Sequence, residues 1–288
     1  MSNLSQRILT GLVYVSVMIF ALTNPIYIGS LLLLVAIVAS FELKKIFSKQ
    51  DIDFDLYPTL FIGTISYASI LHTELIGIVL ISIFSYFISQ LYRSTKNSLQ
   101  LLGSLLLAVF YIFAPLALII PIGLQSGAYE YKIAVGLFIL VWSSDSYAYI
   151  SGRLFGKRKL FERHSPNKTW EGFWGSVILT GATGYILFIS GFGLNSLEWI
   201  LLGVLTVFVA TAGDLFQSML KRDSKLKDSG NILPGHGGIL DRFDSILFCL
   251  PAYYIYFYHI INMVRFTTTL YAFKYYDWFF RHRPILKN

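Results

Sequence analysis

Apolar residues in this chain come in long runs separated by short polar turns. A bilayer core about 30 Å thick takes roughly 20 apolar residues per helix. Runs that reach or approach that length lie at 8–23, 26–43, 56–71, 75–92, 101–124, 133–150, 175–193, 197–213 and 239–264. The pattern predicts an all-α, polytopic integral membrane bundle of about nine transmembrane helices. Arg7 followed by the first run imitates a signal peptide. The run ends in Asn24-Pro25 without a small-residue cleavage site, and a second apolar run begins at once, so it reads as a retained span. No internal repeat or low-complexity linker is evident.

Basic residues test this layout, because short cytoplasmic loops collect Lys and Arg. With the N-terminus inside and strict alternation, Lys44, Lys45, Lys49, Arg93 and Lys96 fall inside, as do the stretches 153–168 and 221–227. The opposite turns, around Asn24, His72 to Glu74, Gln125 to Tyr131 and Asn195, are almost free of Lys and Arg. The tail breaks the rule, since Arg265, Lys274, Arg281, Arg283 and Lys287 would lie outside. Either residues 266–280 lie flat as an aromatic interfacial helix or one span is miscounted.

Composition narrows the class. The 288 residues are 55% hydrophobic and only 14% charged, where a soluble domain carries about 25% charged residues. Aromatics reach 17%, suiting membrane interfaces and helix packing. The net charge of +7 sits in a few loops rather than over a soluble basic face, which argues against nucleic acid and for anionic lipid or a polyphosphate. The single cysteine, Cys249, lies in an apolar run and excludes an intrachain disulfide or a Cys-based metal site.

Ionisable residues at membrane depth are costly and mark functional sites. Three places qualify, all on the cytoplasmic side of the predicted layout. At the end of the sixth run, Asp145, Tyr149 and Gly152 share a helix face. Next comes a basic, Gly-containing loop with Ser165-Pro-Asn-Lys168-Thr169 just before a helix start, where hydroxyl, ammonium and backbone donors can meet a phosphate. An ordinary positive-inside loop or a structural Asp would explain either place taken alone.

The third place runs from Gly213-Asp214 to Ser245. Asp214, Ser218 and Lys221 share one helix face, Asp241, Asp244 and Ser245 another, and Pro234 with Gly235, Gly237 and Gly238 forces a non-helical loop between them. Carboxylates from two elements can hold hard divalent cations while Lys and Arg neutralise phosphates, as metal-assisted phosphoryl or nucleotidyl transfer requires. Simple salt bridging would not need such a set around a Gly-rich turn.

This stretch resembles the phosphatidate cytidylyltransferase (CDP-diglyceride synthase) family. The resemblance rests on Ser218, Lys221-Arg222, Lys227-Asp228, Pro234, His236-Gly237-Gly238, Asp241-Arg242 and Asp244, with every spacing kept. The segments at Asp145 and at Ser165 to Thr169 resemble the family's upstream motifs, with Ser146 where Thr is common. The strong likeness covers Trp142 to Ser245; the front half is alike only in hydropathy.

The resemblance implies transfer of CMP from CTP to phosphatidic acid, giving CDP-diacylglycerol and pyrophosphate. It also implies Asp214, Asp241 and Asp244 as holders of Mg²⁺, with room for a second cation such as K⁺. Asp214, Asp241 and Lys221 would be central to catalysis. Ser165, Lys168, Thr169, Ser218, Arg222, Lys227, His236 and Arg242 would engage substrate, with Asp145 and Asp228 as further site residues. His236, flanked by glycines, fits a structural role as well as a catalytic one.

The chain thus divides into N-terminal transmembrane helices (1–124), a catalytic transmembrane region with the signature loops (125–264) and an aromatic, basic tail (265–288). Size and the lack of a transit peptide point to a bacterial-type cytoplasmic membrane. A two-fold homodimer is the commonest symmetric assembly. A CTP-dependent lipid kinase and a membrane transporter are the alternatives. The complete signature argues against the first, and the clustering of polar residues in one half and at one face argues against the second.

Overall fold

The computed structural model describes residues 3–93, 97–124, 127–232, 235 and 237–261. Pro234, His236, Lys96 and the tail from 265 onward lie outside the described residues. Helices follow the apolar runs in order: α1 (Asn3–Leu22), α2 (Pro25–Ser48), α3 (Leu56–Ser69) and α4 (Ile76–Leu91). A broken path follows, made of α5 (Ser98–Ala108), α6 (Ala114–Ala117) and α7 (Ile119–Gly123). Then come α8 (Tyr131–Phe155), α9 (Trp170–Ile189), α10 (Ser196–Asp223) and α11 (Leu240–Ile255).

Among the described residues, six helical stretches are long and apolar enough to cross a membrane: Pro25–Ser48, Thr73–Leu91, Ser98–Gly123, Tyr131–Phe155, Trp170–Ile189 and Ser196–Asp223. The chain is an all-α, multi-pass membrane protein. The remaining apolar runs form α1, α3 and α11. α3 has 14 residues and α11 has 16, and the apolar part of α1 is Gln6–Leu22. In α11, Pro251 removes an intrahelical donor, and the chain continues as a π-helical turn from Tyr256 to Ile261.

Local chemistry fixes the ends and breaks. The Asn24 side chain accepts from Ile26 N at 2.8 Å with Pro25 opening α2, where a missing N–H costs nothing. Asn195 and Glu198 form a reciprocal capping box at the start of α10. The path from Ser98 to Gly123 is broken by a wide turn over Val109–Phe113, in which Ala114 N bonds back to Val109 O just before Pro115. That turn sets Tyr111 edge-on to Phe216 at 5.0 Å, with its hydroxyl donating to Gln217 Oε1 at 2.9 Å.

α8, α9, α10 and α11 pack side by side, α8 also touching α10. Lipid gives helices no hydrophobic reason to associate, so close approach through small residues matters. A Cβ on Gly203 would lie 2.6 Å from Thr180 O, and one on Gly184 2.7 Å from the Trp199 carbonyl carbon. Trp199, Phe138, Leu202, Phe243, Leu250 and Tyr253 belong to one buried core that also takes in residues of α1 and α2. The outward faces carry exposed Ile, Leu and Phe, most plainly along α4, where only 17% of the apolar window is buried.

One element departs from the expected all-α architecture. Between α8 and α9, β1 (Lys159–Phe161) and β2 (Ser165–Thr169) pair antiparallel as a small hairpin. It is anchored to α9: Trp170 N donates to Arg158 O at 3.0 Å, and the Glu171 carboxylate accepts from Lys157 N and Arg158 N at 3.0 and 3.1 Å.

Candidate active site

The C-terminal ends of α8 and α10 meet the starts of α9 and α11 at one end of the bundle, under the hairpin. There they enclose a cavity of about 500 Å³. Asp145, Asp214, Asp228, Asp241 and Asp244 line it together with Arg153, Lys168, Lys221 and Arg242. Ala148, Leu160, Phe173 and Val207 add an apolar wall. A cavity with convergent charges and one oily wall suits a ligand that carries phosphate on a hydrocarbon body.

Two ion pairs knit three separated segments together. Lys168 Nζ, on β2, lies 2.6 Å from Asp214 Oδ2 on α10. Lys221 Nζ, on the last turn of α10, lies 2.8 Å from Asp241 Oδ1 on the first turn of α11. Asp241 Oδ2 accepts from Ser229 N at 2.8 Å and Gly238 N at 3.0 Å. Ser218 Oγ donates to Asp214 Oδ1 at 3.3 Å. Ser245 Oγ, at 3.4 Å from both Asp145 oxygens, ties α11 to α8. Asp244 is half-buried beside them and accepts from its neighbour Ser245 N at 2.8 Å.

The loop from Ser224 to Ile239 folds back because its glycines permit it. Gly235 and Gly237 have φ of +75° and +90°, the left-handed region that residues with a Cβ avoid. A Cβ on Gly237 would stand 3.1 Å from Asp241 Oδ2. The bend thus returns the backbone amides of Ser229 and Gly238 to the Asp241 carboxylate.

The structure brings Asp145, Asp214, Asp228, Asp241, Asp244, Lys168, Thr169, Lys221 and Arg242 to one cavity. Thr169 has a second duty, since its hydroxyl accepts from Gly172 N at 3.1 Å and caps α9. Ser218 stands behind Asp214. Ser165, Arg222 and Lys227 are not in the lining. Ser165 opens β2, exposed Arg222 donates to Leu226 O at 3.1 Å, and Lys227 is exposed. His236 lies outside the described residues.

Sequence reasoning passed over Glu42, in the second half of α2. Only 3% exposed, it accepts from Ser229 Oγ, Ile239 N and Leu240 N at 2.7, 2.9 and 2.9 Å. Its signal was present: an acid inside an otherwise apolar run. Asn167, inside the Ser165 to Thr169 segment but not singled out, and Thr211, which carried no signal of its own, also line the cavity.

The sequence matches the "Cytidylyltransferase family" profile over residues 5–260. The chain belongs to the cytidylyltransferase family. A phosphatidate cytidylyltransferase of Haemophilus influenzae is 32% identical over 289 aligned positions, covering 90% of this chain and 99% of that protein. One from Bacillus subtilis is 47% identical over 119 positions, covering 40% of this chain and 44% of that protein. One from Pseudomonas aeruginosa is 44% identical over 123 positions, 42% of this chain and 45% of that protein. These relatives include neither a lipid kinase nor a transporter.

The cavity offers oxygen donors and, among the described residues, no thiolate or imidazole cage. Among the described residues, no three acidic, His or Cys side chains converge closely enough to enclose an ion. The protein donors available to a cation are thus one or two carboxylates, to be completed by ligand oxygens and water. Mg²⁺ is commonly held that way at phosphate-transfer sites.

Proposed function

We propose that this chain is a CTP:phosphatidate cytidylyltransferase, which joins CMP from CTP to phosphatidic acid and releases pyrophosphate. One observation carries the reading: Lys168–Asp214 and Lys221–Asp241 bring three separated signature segments to a single cavity that also has an apolar wall. The family membership and the names of the relatives agree with it.

In the proposed reaction a lipid phosphate oxygen attacks the α-phosphorus of CTP, a P–O bond forms, and the bond to the β-phosphate oxygen breaks. A phosphate monoester is already largely ionised near neutral pH, with a second pKa near 6, so no residue is assigned as general base. What the chain supplies is alignment and charge neutralisation. Lys168, Lys221, Arg153 and Arg242 face the space where phosphates would sit. Polyphosphate entry would draw Lys168 and Lys221 toward it, freeing Asp214 and Asp241 as ligands. Those two, with Asp244 close by, would hold Mg²⁺, which when bound neutralises entering and leaving oxygens.

We further place the site on the cytoplasmic side of a bacterial inner membrane and count α1, α3 and α11 as spans, giving about nine. The support is the Lys- and Arg-rich loops at the cavity end of the helices and the bacterial relatives.

The test is a detergent-micelle assay with CTP labelled at the α-phosphate, phosphatidic acid and Mg²⁺. Label extracting into organic solvent, and lost without Mg²⁺ or in Asp241→Ala, is the expected result. Label recovered as CDP, with phosphate passed to a lipid alcohol, would overturn it.

A further inference from the structure

We infer that α2, far from the signature in sequence, positions the catalytic loop through Glu42 and Gln50. Glu42 sits in the last two turns of α2 and Gln50 just past its C-terminal end, and they grip opposite ends of one loop. Gln50 Nε2 donates to Ser224 Oγ at 2.6 Å, where the loop leaves α10. Glu42 accepts from Ser229, Ile239 and Leu240, where the loop turns and enters α11.

Glu42 and Asp241 share one partner, Ser229, and otherwise take neighbouring backbone amides of one run. Ser229 gives its hydroxyl to Glu42 and its backbone N–H to Asp241 Oδ2. Gly238 N also donates to Asp241 Oδ2, and the next two backbone amides, of Ile239 and Leu240, go to Glu42. Two carboxylates therefore share one run of backbone amides from opposite sides. Fixing one fixes the direction of the other.

The packing is specific to this arrangement. A Cβ on Gly238 would lie 2.5 Å from Glu42 Oε2 and 2.7 Å from Gly230 N, and a Cβ on Gly230 2.8 Å from Glu42 Cδ. The two glycines leave room for the carboxylate and for the Ser229 hydroxyl that donates to it. Among the described residues Glu42 forms no ion pair with Lys or Arg. Hydrogen-bond donors and the N-terminal end of α11 meet its charge instead. A buried carboxylate without a cation is a costly way to hold helices together, whereas three aimed acceptor contacts define a loop's path. Glu42 is not in the lining of the active-site cavity, so it is a positioning residue acting through Asp241.

This inference rests on the cytidylyl-transfer reading for its kinetic readout but not for its structural one. Glu42→Gln keeps the shape and places an amide NH₂ against backbone N–H groups. In the metal-free protein, hydrogen exchange over residues 228–241 should rise about tenfold or more while α8 and α9 stay as protected as before. In the assay, the Mg²⁺ concentration for half-maximal rate should rise about 10- to 100-fold, with a smaller change in KM for CTP. Ser229→Ala, which removes one of the three donors without touching charge, should shift both readouts in the same direction by less.

Unchanged exchange at 228–241, or exchange raised equally in every helix, would overturn the inference. So would an unchanged Mg²⁺ requirement in an active Glu42→Gln enzyme. Wild-type protein that transfers no label would instead sink the cytidylyl-transfer reading, and the exchange result would still decide whether Glu42 sets the loop.

Discussion

The two lysines of the cavity invite different outcomes because their surroundings differ. The Lys221 and Asp241 side chains are 11% and 5% exposed, whereas Lys168 and Asp214 are 25% and 31% exposed. Removing one member of a buried pair strands the other, at a cost of about 3–5 kcal/mol, whereas a partly solvated pair contributes roughly 1 kcal/mol or less. Lys221→Met should therefore lower both thermal stability and turnover. Lys168→Met should leave the melting temperature nearly unchanged, yet still lower turnover about a hundredfold, as loss of one aimed charge at a phosphate commonly does. Thermal melting in detergent alongside the labelled-CTP assay separates the two. Equal melting losses in both variants would show that the pairs act mainly as structural ties.

At the scale of elements, helix starts at the cavity are fixed before any ligand arrives, α9 by its own cap and α11 by Glu42, which accepts from its first amides. Thr169 caps α9 while lining the cavity, so cap and site cannot be separated there. α10 is different, because its capping box at Asn195 and Glu198 lies at the helix end opposite Asp214 and Lys221. Asn195→Ala should cost about 1 kcal/mol and lower the melting temperature by a few degrees, with turnover unchanged at temperatures below the transition. A fall in turnover matching that of the cavity variants would show that the register of α10 depends on its distant end. The hairpin obeys the same economy of anchoring: Glu171 gathers the amides of Lys157 and Arg158, so β2 delivers Lys168 over α10 from a fixed base.

For the whole molecule, the proposed orientation can be read chemically. The natural cysteine, Cys249, is fully buried and should stay silent toward a membrane-impermeant thiol reagent. In intact cells, single cysteines at Glu74 or Asn195 should be labelled, and those at Arg158 or Lys227 only after the membrane is opened. The reverse pattern would place the cavity outside. Reagent reaching Arg158 and Lys227 from opposite sides would refute the alternation itself.

Much was legible from the sequence because membrane physics leaves few choices. Backbone amides in lipid must bond within their own helix, so long apolar runs become helices wherever they occur, as the runs at 26–43, 133–150 and 197–213 did in α2, α8 and α10. The acids of the signature were legible for the same reason, since a charge near the bilayer must serve something. Spacing alone could place Asp214 with Lys221 on one helix and Asp241 with Asp244 on another. It could not show that Lys168 reaches Asp214 across the hairpin, that Arg222 turns to the loop carbonyl of Leu226, or that Ser165 stays out of the cavity. Nor could it join Glu42 to Leu240, 198 positions away. Local sequence determined which segments are helical and which residues carry charge, because those follow from solvation and short-range geometry. Only tertiary packing decided which charges meet, because that depends on how helix ends and a glycine-rich loop are brought to the same end of the bundle.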